Sequence, residues 1–189
     1  DLADTRNARS LTQFQYDEPY YRDQNREAPH NMYVRTEGLR DLQDTLEHSK
    51  SNMQEISRSQ DAPSPTPDAT TIAIDYSGPL FAVEFRYDPA TNSYTRYLAG
   101  EPHLDTVTGQ PITVKNLIVL KTPVSGSTVQ SVGSGEALLF KDGTVNVGTW
   151  SKDSYDESIS LVNEQGQEIP LNRGDAWFAV TATDRTVSY

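Results

Sequence analysis

From Ile72 onward, large apolar side chains fall on every second residue. Ile72, Ile74 and Tyr76 alternate with Ala73 and Asp75. After the Ser77-Gly78-Pro79 turn, Phe81, Val83, Phe85 and Tyr87 alternate with Ala82, Glu84 and Arg86. A period of two belongs to a pleated strand with one covered face, and no helix has it. The segment DPATN (88–92) turns the chain into Tyr94–Ala99, which predicts a hairpin. Ile112–Leu120 is a nearly continuous apolar run of the kind a fold places at the centre of a sheet. Farther on, Asp142-Gly143 separates EALLF from TVNVGTW, the strongest short-range hairpin signal in the chain. SISLVNE and QEIPLN follow, joined across Gln165-Gly166. AWFAVTA is entered through Asn172–Asp175. Strands at such short spacing, with no helical run between them, predict a mainly β protein: an antiparallel sandwich or barrel-like domain over 71–189.

The chain before this domain is built differently. Pro63, Pro65 and Pro67 alternate with small polar residues. Proline fixes its own φ and pushes the preceding residue to extended geometry, so 59–70 is expected to be a proline-rich linker. Leu39, Leu42, Leu46, Met53 and Ile56 recur at helical spacing behind Thr36, an expected N-cap. They predict one surface helix over 36–58 with a thin apolar seam. Residues 1–34 form an irregular, polar arm. Its aromatic residues, Tyr16, Tyr20, Tyr21 and Tyr33, lack packing partners within the arm itself. Residues 1–58 therefore look like the end of a larger N-terminal domain.

Composition narrows the function. Among 189 residues the formal net charge is -11. Phosphate backbones are gripped by basic faces, so nucleic acid is an unsuitable partner, and an anionic membrane surface is unsuitable for the same reason. The chain has no cysteine, so disulfide and thiolate chemistry are excluded. No motif calls for a metal or a cofactor: HExxH, a P-loop, GxGxxG and GxSxG do not occur.

The residues with chemistry to offer are few. Glu101, His103 and Asp105 lie two apart, and in an extended segment they point to one side. A histidine beside carboxylates can act as a base, which makes His103 and Asp105 the catalytic candidates and adds Glu101 as a binding candidate. Equally, His103 and Asp105 can fix a tight corner through hydrogen bonds to its backbone. Arg22 and Arg26 lie four apart and share a face if that stretch is helical. With His30 and Asn31 they form either an anion site or a set of ties holding a domain end. Trp150 and Trp177 bound strands. Beside Tyr94 and Tyr97 they make either a stacking platform for sugar rings or core packing at the ends of the sheet. Ser151 and Lys152 are adjacent and point to opposite faces of a strand, which argues against cooperation as nucleophile and base.

Three stretches carry a family resemblance. They are PHNMY (29–33), the corner G-x-P-H-x-D-x-x-T-G (100–109) and the strand NLIV (116–119), set in runs that match in order along most of the chain. The sequence resembles the YerB-like family, bacterial lipoproteins built around a domain of unknown function. The resemblance implies an extracytoplasmic protein anchored to the membrane by lipid, with an N-terminal α/β domain ahead of the β-domain. The lipobox cysteine and most of that first domain are not in these residues. Two readings follow. One is a non-catalytic binding or assembly module at the bacterial cell envelope, whose partner is an envelope protein or a wall polymer. The other is a hydrolase-like enzyme with its site around His103, where the two domains meet.

Overall fold

The computed structural model describes residues 11–47, 55–76, 78–126, 128–155 and 157–189. The chain divides into two compact units, Asp1–Ser51 and Asn52–Tyr189.

In the first unit, strands β1 (Tyr20–Arg22) and β2 (Met32–Val34) pair as an antiparallel hairpin. Tyr21 and Tyr33 lie opposite each other, their rings stacked at 5.8 Å. These rings supply the packing partner that the arm lacks when read as sequence alone. Helix α1 (Thr36–Thr45) follows, with Arg35 rather than Thr36 at its N-cap. It stops at Leu46, short of the expected 58, and residues 48–54 lie outside the described set. No residue of α1 is fully buried, as a thin apolar seam requires. Gly38 sits where a Cβ would come within 3.0 Å of the Pro19 Cβ, so close approach explains a glycine in the first turn. Beside that contact lies a cleft of ≈ 470 Å³ lined by Tyr16, Asp17, Pro19, Arg35, Asp41 and Leu42 among others.

The second unit is a two-sheet sandwich with open edges, so of the two expected architectures the barrel is set aside. In chain order its strands begin with β3 (Arg58–Ser59), β4 (Thr71–Ile74), β5 (Val83–Asp88), β6 (Ser93–Leu98), β7 (Glu101–Pro102), β8 (Thr113–Val114) and β9 (Asn116–Thr122). They continue with β10 (Val124–Ser125), β11 (Thr128–Val129), β12 (Gly133–Lys141), β13 (Thr144–Lys152), β14 (Ser160–Asn163), β15 (Leu171–Asn172), β16 (Ala176–Ala182) and β17 (Val187–Ser188). One sheet runs β17-β4-β5-β6-β7, with β8 also on β6; the other runs β14-β13-β12-β9-β16. All ladders in these two sheets are antiparallel except β16 on β9, which is parallel.

Alternation decides which residues meet between the sheets. Ile72, Ile74, Val83, Phe85 and Tyr94 from the first sheet pack on Leu117, Val119, Leu138, Phe140 and Ala179 from the second. The run Leu117–Leu120 is buried on both faces, because a second core lies behind it. There Ile118, Leu120, Ala137, Leu139 and Trp150 are covered by Leu161, Ile169, Leu171 and Ile56. Burying a side chain of this size is worth about 1.5–3 kcal/mol, so two layers on one central strand make β9 the spine of the unit.

The proline-rich stretch is tied along this sandwich. Ala62 N donates to Asp142 Oδ1, Ser64 N to Asp142 O, and Asp68 N and Ala69 N to Gly143 O. Arg58–Ser59 runs parallel to Leu171–Asn172. Residues 58–70 thus form a strap of the β-unit, and the division between units falls earlier than 59–70, at Ser51/Asn52.

Candidate functional site

The corner 100–109 grows out of an edge. β7 and β8 both pair with β6, and between them residues 104–111 leave the sheet as a small projecting hairpin. Leu104 bridges Pro111, and Asp105 N donates to Gln110 O. Asp105 Oδ1 accepts from Val107 N at 3.1 Å, Thr108 N at 2.7 Å and the Thr108 hydroxyl at 2.9 Å. These bonds, led by the Thr108 amide, hold the carboxyl below its usual range. Gly109, at φ 68, closes the turn in a conformation that suits glycine. The carboxylate is therefore consumed in shaping the loop. Val107 stands at the tip, 90% exposed.

His103 is at the base of this projection. Its N–H donates to Arg96 O and its carbonyl accepts from Ile112 N. Its ring turns to Arg96, whose Nη1 donates to Nδ1. Of the three-residue set expected on one side, only His103 faces this cluster: Asp105 turns into the loop, and Glu101 lies exposed on β7.

Arg96 is the residue that sequence reading missed. On β6 it shares the inward face with Tyr94 and Leu98. Phe85 lies opposite on β5. The guanidinium carbon lies 5.0 Å from the centre of the Trp177 ring, and that ring lies 6.1 Å from Phe85. Burial lowers the Arg96 pKa, opposed by nearby Tyr76; burial likewise raises the Tyr76 phenol, opposed by Arg96. Nε is buried without a hydrogen-bond partner. Among the described residues no carboxylate pairs with this cation. The signal was available: Arg96 is a charge at an apolar position of the alternation.

The remaining candidates serve structure. Residues 23–31 form the β1–β2 loop and not a helix, so Arg22 and Arg26 do not share a helical face. Arg22 Nη1 donates to Asn31 Oδ1 at 2.7 Å, and Asn31 Nδ2 donates to the carbonyls of Asp23 and Arg26. Arg26 pairs with Asp23 at 3.5 Å, while His30 is exposed. Trp150 is 2% exposed, and its indole N–H donates to Lys121 O at 2.9 Å. A side chain buried in the second core has no free face for a sugar ring. Tyr94 is fully buried as well. Among the described residues no group of three or more His, Asp or Glu is placed to hold a metal ion. No helix among them is long and apolar enough to cross a membrane.

Fold and site together define a two-sheet β protein with a rigid projecting corner and an inward-facing arginine at its base. Residues 72–178 match the family described as "Protein of unknown function (DUF3048) C-terminal domain", and the chain belongs to that family. Its fold is similar to the crystal structure of the YerB protein from Bacillus subtilis, with a TM-score of 0.76 at 19% identity over 98% of this chain. The chain spans 65% of that protein's length. No curated protein matches it.

Proposed function

We propose that this is a non-catalytic binding or assembly module of the bacterial cell envelope, and that the whole protein reaches the extracytoplasmic face through a lipid anchor. The envelope setting is supported by the YerB-like resemblance. The binding reading is carried by one observation: the projecting corner is locked from within by Asp105 yet ends in apolar Val107, exposed to solvent. A second apolar turn, Leu80 and Phe81, precedes β5 beside the β6–β7 turn, where Ala99 N donates to Ala82 O; these residues are 76% and 62% exposed. Rigid loops lose little entropy on binding, and apolar tips suit a protein partner better than a wall polymer.

The test is retention of the purified chain on envelope proteins and on wall fragments, with Val107→Asp and Phe81→Asp as probes. Burying a valine is worth about 1.5–3 kcal/mol, so V107D should weaken binding at least tenfold at unchanged Tm. Wild-type protein that binds neither class of partner, or variants that bind equally well, would refute the reading.

A further inference from the structure

A cation on the inward face of a β-sheet normally has a carboxylate beside it, because desolvating an unpaired charge is costly. Arg96 has none among the described residues. Its one polar side-chain contact there is the His103 ring. Arginine carries only donors, so in this contact Nδ1 of His103 takes the acceptor role. The pair therefore presents donors and no compensating negative charge. Around it stand Trp177, at 5.0 Å from the guanidinium, and Tyr76; all four side chains are partly buried, and both rings also pack against the core between the sheets.

We propose that Arg96, His103, Trp177 and Tyr76 form a binding site for a small monoanionic carboxylate carried on a ring. The guanidinium supplies the charge and the planar donors that match a carboxylate. The Trp177 and Tyr76 rings supply apolar faces for the body of the ligand. Charge selects the class: one cation balances one negative charge, and a chain of net charge -11 repels a dianion such as phosphate more strongly. The site is independent of apolar docking at Val107, and either can fail without the other.

Benzoate is the probe, benzamide its neutral isostere, and inorganic phosphate the control for charge alone. The two tryptophans make the readout internal. Trp177 lies in the site, while Trp150 is locked to Lys121 O in the other core. Titrating benzoate into the intact chain should move the Trp177 indole N–H resonance saturably and leave that of Trp150 in place. Benzamide and phosphate should do neither. Arg96→Met should abolish the shift while its Tm stays at or above that of the wild type, because it removes an unpaired charge and keeps the apolar stem. Arg96→Lys, lacking the planar fork, should bind at least severalfold more weakly. Equal response to benzamide or phosphate, a saturable shift in R96M, or a marked fall in Tm of R96M would each overturn the proposal, the last by making Arg96 a structural residue.

Discussion

Asp142 shows how much one side chain can gather. Its Oδ1 accepts from Ala62 N at 3.1 Å, Asn92 Nδ2 at 2.9 Å and Asn172 Nδ2 at 2.7 Å. Asn116 extends the network: its Oδ1 accepts from Asn172 N at 2.7 Å, and its Nδ2 donates to the carbonyls of Asn172 and Asp175. Asp142→Ala strands two buried amide donors, each at a cost of about 1–3 kcal/mol. Urea unfolding should show a loss of about 2–4 kcal/mol with unchanged slope. The turn itself was legible, since Asp-Gly demands the positive φ found at both residues, 57° and 77°. The hub was not, because its partners are 80, 50 and 30 residues away and no local pattern records such distances. Asp105 makes the converse case, as all its partners are local. Its folded pKa lies below the ordinary carboxylate value, so its contribution is complete above that ordinary value. It is lost as pH falls through the folded one. Hydrogen exchange at Thr108 N–H, corrected for its intrinsic pH dependence, should lose protection only in that acid window.

Among the elements, β12 and β13 cross a second layer at positions where a side chain does not fit. A Cβ on Gly135 would lie 2.3 Å from Lys121 O and 2.7 Å from Trp150 Nε1. Neither the backbone oxygen nor the packed indole can give way cheaply. Gly135→Ala should therefore cost about 1–3 kcal/mol and shift the Trp150 indole resonance, whereas Gly166→Ala, with open space around it, tests only turn strain. The strands that carry apolar alternation or an apolar run, β4, β5, β6, β9, β12, β13, β14 and β16, were readable from sequence. β15 falls at the end of the run QEIPLN, while the two-residue strands β3 and β17 were not readable, since so short a segment has no period. The parallel register of β16 on β9 was also invisible: both read as apolar strands, and direction leaves no mark on composition. Arg96 was legible as an exception to the alternation, but its meaning depends on Trp177 from the other sheet.

For the whole molecule, the strap redraws where the β-unit begins. Ile56 packs in the second core, Ala69 is fully buried, and Leu171 N donates to Ser57 O. A fragment starting at Asn52 should unfold cooperatively. One starting at Thr71 discards those contacts and the four amides bonded to Asp142 and Gly143, and should lose several kcal/mol. Thermal melts of the two fragments compare them directly. Three prolines favour extension, as expected, but extension here serves contact and not separation. Composition could not distinguish those outcomes, because the acceptors at Asp142 and Gly143 lie in another part of the chain. The same order of strands bears on biogenesis. β9 takes its parallel neighbour only after the intervening hairpins have been made, so during synthesis the greasiest ribbon of the protein waits with one flank bare. Such a chain has reason to stay bound to a chaperone until its closing partner emerges.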